Sequence, residues 1–341
     1  MIIIKHGFLW AFLKLSNIAK LIITKLIIIL INKPEILDFM LSEFYLRNKM
    51  LISKSEWEKK ILSIRSSISE NLEDKDQAKK AITNELLRAV RERLPDEPFG
   101  VLFSGGVDSS LIALLAKRAG KDFTCFTLGF QDDNSKEPED IMSATVAAQE
   151  LGLKIKTRIV NLEQAEELIK KTAKILGPEL NNVVNVGVGG VVLGCIEMAK
   201  KDGVKYLFSG LGSEEIFAGY QRHKLAEDKQ AECWQGLLNM YERDLLRDAA
   251  VSSSTKVNLL TPFLDEQLIA TAMRVPAEHK INSTASKLIL REVAEELRLP
   301  KDIAWRGKRA AQYGSRLDKA IDKLARKNGF KLKKDYLRSL N

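Results

Sequence analysis

The stretch VLFSGGVDSSLIALLAKRAG, Val101 to Gly120, decides how this chain is read. Val101, Leu102 and Phe103 read as the end of a buried strand. Ser104, Gly105 and Gly106 make a turn without bulky side chains, so backbone N–H groups can approach a ligand. Leu111, Ile112, Leu114 and Leu115 then fit one face of a helix that stops at Gly120. A strand, a glycine turn and a helix N-terminus form an anion site, because the first N–H groups of a helix lack partners within it. The hydroxyls of Ser104, Ser109 and Ser110 suit a phosphate, and Asp108 suits its Mg²⁺. An ordinary strand-to-helix turn is the bland alternative; the serines and the aspartate favour the phosphate. No Gly-Lys-Ser/Thr follows, so the loop is not a Walker A, and it is not the dinucleotide pattern G-x-G-x-x-G.

Working outward, strands and helices alternate. DFTCFTLGF is a strand, EDIMSATVAAQELG a helix, LKIKTRIV a strand, LEQAEELIKKTAKIL an amphipathic helix and VKYLFSG a strand again. This order argues an α/β fold, a doubly wound parallel sheet followed by a helical C-terminal part. Ligands of such sheets sit at the carboxyl ends of the strands, where Ser104 and Ser209 both fall. Gly187, Gly189 and Gly190 match no cofactor fingerprint, because Val192 stands where a third glycine is required; they read as packing a helix against the sheet.

LFSGLGSEEIFAGYQRHK, Leu207 to Lys224, repeats the logic of the first loop. A strand ends in Ser209-Gly210-Leu211-Gly212, and Glu214 and Glu215 follow. A doubled carboxylate beside a glycine turn can bind Mg²⁺ or an ammonium, or simply favour a helix N-terminus. Two such loops in one sheet favour a shared nucleotide site.

The chain has 341 residues and a net charge of +9, unevenly spread: residues 1–60 carry +5, residues 291–341 carry +8, and the stretch between them −4. Aromatic residues are not interleaved with the C-terminal charges, which favours phosphate neutralisation or a solvated helix face over nucleic-acid binding. Cys125, Cys195 and Cys233 show no metal-ligand spacing, and their odd number argues against a disulfide framework; a reducing, cytoplasmic setting follows. The three histidines are scattered. Four lysines interrupt the apolar first 31 residues, and no uncharged run reaches the roughly 18 residues of a membrane span. A membrane-surface segment, a weak anchor or translated sequence upstream of a later start (Met40 or Met50) remain, and the last fits best because no targeting template is matched.

The SGGVDSS loop resembles the SGG-x-DSS loop of the PP-loop ATP pyrophosphatases, an adenine nucleotide alpha hydrolase-like fold. The second loop is similar to the second motif of the asparagine synthetase family. TPFLDEQLIATAM (Thr261–Met273) and KLILREVAEELRLPKDIAWRGKRAAQYGS (Lys287–Ser315) look like its later segments, in the right order. The resemblance spans residues 70–330, and GYQRHK and KRAAQYGSR bring it nearest to the asparagine synthetase domain-containing proteins.

The resemblance implies an ATP- and Mg²⁺-dependent amide ligase. It would adenylate a carboxylate, by default aspartate, and pass the acyl group to ammonia from solution or from a separate glutaminase subunit. Ser104, Gly105, Gly106, Asp108 and Ser109 would hold ATP and its pyrophosphate. Leu128 would meet the adenine through its backbone, and Ser209 and Gly210 would flank the nucleotide. Asp108 and Glu214 would bind Mg²⁺, and Lys308 would be the catalytic cation. The expected layout is an apolar, basic extension (1–50), a helical lead-in (51–98), the synthetase-like domain (99–330) and a basic tail (331–341).

Some positions depart from the family pattern. Family synthetases begin with a glutaminase domain whose N-terminal cysteine is the nucleophile; here the first cysteine is Cys125, so no such module is expected. Leu211 replaces a glutamate, Asn258 and Leu260 replace a glutamate and an arginine, and Glu214 replaces an aspartate. Glu215 or Glu179 could supply the missing carboxylate. The rival readings are a PP-loop enzyme that modifies tRNA or another acceptor, and a non-catalytic nucleotide-binding descendant.

Overall fold

A computed structural model describes residues 43–47, 49–132, 136–307 and 310–340. The expectations for residues 1–42 and for Lys308 lie outside the described residues.

Two short strands, β1 (Leu46–Arg47) and β2 (Met50–Leu51), pair antiparallel ahead of helices α1 (Lys54–Ser67) and α2 (Lys75–Glu92). Ser53 and Asp74 cap these helices, each side chain accepting an N–H of the first turn. The central sheet follows: β3 (Phe99–Leu102), β4 (Phe123–Phe130), β5 (Ile155–Val160), β6 (Tyr206–Phe208) and β7 (Asn258–Leu260). Its order is β5-β4-β3-β6-β7, and every pair is parallel.

The chain runs outward from β3 through α3 (Val107–Arg118), β4 and α4 (Glu139–Glu150) to β5. It then crosses back through α5 (Leu162–Leu180) and α6 (Val183–Lys201) to lay β6 on the other side of β3. The strand order therefore reverses between β3 and β6, and the carboxyl ends of both strands mark the place where the ligand crevice of an open parallel sheet lies.

Side-chain alternation divides the interior into two layers. Cys125 of β4 joins Val101, the α3 leucines and Ala144 on one face, while Phe126, Leu128 and Phe130 join the α5 and α6 core on the other. A sheet covered on both faces is what parallel pairing requires. The three cysteines are buried and unpaired, as expected.

Helix α6 is long and apolar enough to cross a membrane by composition, but it is a core helix here. Its glycines allow close approach, with a correction to the expected partner. A Cβ on Gly187 would stand 2.8 Å from Gln312, and one on Gly190 2.6 Å from Leu317, so these glycines seat the C-terminal region. The sheet contact falls to Gly194, 2.2 Å from Leu128.

The segment 51–98, expected as a lead-in, shares its core with the strands: Trp57, Ile61, Ile82 and Leu86 pack in the same layer as Val101. Residues 331–341, expected as a basic tail, contain a helix, Lys333–Arg338, whose Tyr336 and Leu337 are buried.

Candidate active site

The first loop folds as its sequence requires. Gly105 has φ +67°, and a Cβ there would lie 2.4 Å from the Ser143 carbonyl oxygen, so only glycine is accommodated without distortion. Gly106 is the N-cap of α3 and provides no side-chain cap, which leaves the first-turn N–H groups of the helix to the crevice. The serines brace the loop. Ser109 Oγ accepts from the Ser104 N–H at 3.3 Å and donates to the Gly106 carbonyl at 3.3 Å, while the Gly106 N–H reaches Ser104 Oγ at 3.4 Å.

The second loop sits beside it. The Ser209 N–H donates to the Leu260 carbonyl at 2.8 Å, which ties the loop to the end of β7. A Cβ on Gly210 would lie 3.0 Å from Asp108 Cβ, so the glycine is what lets the two loops touch. Gly212, at φ +98°, turns the chain into the short helix Ser213–Ile216 that carries Glu214 and Glu215.

Asp108 and Glu214, assigned to Mg²⁺ from sequence, are brought together beyond the ends of β3 and β6. They meet on a lysine: Lys287 Nζ lies 2.8 Å from both Asp108 oxygens, 2.9 Å from Glu214 Oε1 and 2.9 Å from Ser213 Oγ. All three charged groups are buried. Gly219 makes room for them, because a Cβ there would fall 1.6 Å from Glu214 Oε2 and 2.5 Å from Lys287 Cε. Two adjacent carboxylates are a donor set that suits Mg²⁺ when phosphates complete its shell. Among the described residues no group of three or more His, Cys, Asp or Glu could form an all-protein cage.

Leu128 stands on the far side of the first loop. In β4 the Phe126 carbonyl accepts from the Phe103 N–H at 2.9 Å, and the Phe130 N–H donates to the Ser315 carbonyl at 2.7 Å. Leu128 lies between them, so strand alternation directs its backbone groups to that same edge, beyond the end of β3. Its side chain is buried against Gly194.

The positions that depart from the family pattern fall in different places. Leu260 is buried in the core and Leu211 packs against it. Asn258 starts β7, at the end of the strand away from the loops. Glu215 is also buried, and its carboxylate pairs with Arg243 at 2.5 Å. Arg243 in turn meets Asp244, and Arg247 meets Asp244 and Asp248. Burial, then the Asp244 charge, push the Glu215 carboxyl up to about 6. Glu179, the other stand-in for the missing carboxylate, is exposed at the end of α5.

Sequence reasoning missed Lys287, Gly219 and Arg291. Arg291 is buried one turn beyond Lys287 and donates to the carbonyls of Ala304 (2.5 Å) and Arg306 (3.1 Å), anchoring the chain that leads to Lys308. Lys287 and Arg291 stand four residues apart in the segment KLILREV, but Lys287 is left-handed and caps the helix rather than lying within it, so helical spacing does not announce the pair.

A PP-loop ATP pyrophosphatase fold is therefore what the sheet order and the paired loops define. The chain belongs to the asparagine synthase family, whose profile matches residues 81–235 and 226–335. It is 32% identical over 300 residues to a provisionally named glutamine-hydrolysing asparagine synthetase 1 of Methanocaldococcus jannaschii, covering 77% of this chain and 53% of that one. It is 28% identical over 262 residues to the glutamine-hydrolysing asparagine synthetase B of Escherichia coli, covering 71% and 45%. Against the human glutamine-hydrolysing asparagine synthetase the identity is 29% over 238 residues, covering 66% and 41%. The chain thus spans about half the length of the curated relatives it matches.

Proposed function

We propose that this chain carries out the ATP-dependent half of amide formation. A carboxylate oxygen of the substrate bonds to the α-phosphorus of ATP, the bond to the β-phosphate breaks, and pyrophosphate leaves. The nitrogen of ammonia then bonds to the acyl carbon, and AMP departs as the amide forms. Aspartate to asparagine is the default pair, with ammonia taken from solution or from a glutaminase partner. The unpaired thiols suit a cytoplasmic setting.

The observation that carries this reading is the meeting of two serine-glycine loops at the switch point, with Asp108 and Glu214 sharing one cation between them. Ser104, Gly105, Gly106 and Ser109, with the first turn of α3, would receive the pyrophosphate. The backbone of Leu128 would meet the adenine, and Ser209 and Gly210 would border the nucleotide. Asp108 and Glu214 would hold Mg²⁺, which offsets phosphate charge when bound. Lys308, by its place in the motif, would stabilise the oxyanion that develops at the acyl carbon.

The test is an ATP–pyrophosphate exchange screen across amino acids and small carboxylates, with ³¹P NMR of the products. AMP and pyrophosphate are expected. ADP and orthophosphate would overturn the reading. ATP binding with no exchange on any carboxylate would instead favour a non-catalytic descendant, an outcome motivated by Leu211 and Leu260 lying in or against the core.

A further inference from the structure

Lys287 is held by its surroundings far more tightly than a lysine in a basic segment needs to be. Its ammonium has three donors, and Asp108, Glu214 and Ser213 take them at 2.8–2.9 Å. The residue is 1% exposed. Its backbone is left-handed, φ +56°, on the threshold of the helix Leu288–Glu296. A non-glycine residue persists there only where its surroundings over-determine it, and such positions cluster at functional sites. Gly219 supplies the space, since any larger residue would strike both Glu214 and Lys287.

The charges decide what this arrangement does. Two carboxylates and one ammonium leave the cluster with a single net negative charge, and the Arg291 guanidinium stands one helical turn further on. A bare divalent ion approaching the carboxylates meets a positive charge already seated between them. A divalent ion carried by a polyphosphate brings its own negative oxygens, which attract the ammonium.

We propose that Lys287 is a positioning residue, the resident cation of the Asp108–Glu214 pair, which holds the two carboxylates in register across the crevice and admits a divalent ion only together with nucleotide phosphates. The inference rests on the reading of Asp108 and Glu214 as the carboxylates of the Mg²⁺-nucleotide site.

The test uses Mn²⁺ as the probe, by electron paramagnetic resonance on the full chain, with and without the α,β-methylene analogue of ATP. Wild type should bind Mn²⁺ weakly alone and tightly with the analogue. Lys287→Gln should bind Mn²⁺ alone about tenfold more tightly or better, as expected when a like charge leaves a site. Lys287→Arg, which keeps the charge, should behave as wild type. Adding Asp108→Asn to Lys287→Gln should abolish the gain. Wild type that binds Mn²⁺ equally well with and without the analogue would overturn the inference, and this comparison decides the matter even where the glutamine variant does not fold. Lys287→Arg behaving like Lys287→Gln would overturn it too, while leaving the nucleotide reading intact. An Asp108→Asn single variant that keeps full Mn²⁺–analogue binding would bring down that reading, and the inference with it.

Discussion

At His223 a single ring nitrogen fixes a protonation state. His223 Nδ1 accepts the Tyr220 N–H at 3.0 Å, so a proton on Nδ1 would set two donors against each other. The ring is fully buried. Burial first, then the Arg222 charge, push it down from 6.5 to about 4. The folded protein therefore refuses a proton that the unfolded chain accepts, so its contribution is complete above pH 6.5 and lost as pH falls towards 4. The loss amounts to about 3 kcal/mol at most. Glu215 works in the opposite sense between about 6 and 4.5, because its raised carboxyl takes up a proton in the fold first. The clean measurement is a difference: urea unfolding of wild type and His223→Asn from pH 7 to 4. Asparagine keeps an acceptor near Nδ1 and does not titrate, so the variant should lose less stability on acidification, and parallel curves would refute the assignment. Lys308→Met belongs to the same scale. If Lys308 stabilises the acyl oxyanion, turnover should fall about a hundredfold or more, with ATP binding much less affected, as steady-state kinetics beside equilibrium binding would reveal. The placement of Ser104, Gly105, Gly106, Asp108 and Glu214 on two neighbouring strand-to-helix turns was legible because short-range chemistry fixes each turn: strand, turn and helix lie within a dozen residues. Lys287 was not, because its left-handed backbone and its partners, 179 and 74 residues away, leave no local trace.

The elements tell a similar story. Helices with apolar stripes and the long strand β4 declared themselves by periodicity. β6 and β7 pair over three residues each; β6 was readable from the longer run VKYLFSG, whereas β7 lies in no run long enough to show alternation and pairs along the edge of β6. The first loop shows where local chemistry and tertiary packing agree. Gly105 is needed twice over, for its φ of +67° and for the Ser143 carbonyl at 2.4 Å, which belongs to the backbone of α4 and cannot step aside. Gly106 has φ −84°, and its nearest obstacle is the Ser104 hydroxyl at 3.4 Å. Gly105→Ala should therefore cost at least about 2 kcal/mol and shift α4 away from the loop, whereas Gly106→Ala should stay within about 1 kcal/mol. Chemical denaturation of the two variants side by side measures this. Equal costs would mean that the loop yields more readily than its packing suggests.

For the molecule as a whole, the expected boundary at residue 50, between the extension and the lead-in, runs through one buried network. Glu43 accepts from the Thr261 N–H at 3.1 Å and from the Thr261 hydroxyl at 2.8 Å, and it pairs with Arg93 at 3.1 Å. Arg93 continues to Asp265 at 3.0 Å, and Asp265 also meets Arg88. The hydroxyls of Tyr45 and the same threonine meet at 3.3 Å. Residues ahead of β1 are thus bonded to the residue that ends α2 and to the turn after β7, next to the Leu260 carbonyl that holds the Ser209 loop. A composition-based boundary at residue 50 cuts through this network, because nothing in the local sequence of Glu43 announces a partner 218 residues away. Glu43 is 2% exposed, so removing it takes the acceptor from the Arg93 Nε–H and from both Thr261 donors in a buried setting, and leaves the guanidinium with Asp265 as its one carboxylate in the network. Glu43→Ala should lower stability by about 3–5 kcal/mol, the usual cost of breaking one side of a buried pair. Glu43→Gln should cost less, since an amide oxygen can still accept from Thr261. A chain shortened to begin at Met50 loses Tyr45 as well, and should fall further than the alanine variant. Urea midpoints at constant slope distinguish the three. If all three unfold together with wild type, residues 43–50 are an appendage after all; the graded order would make them part of the domain that holds the site.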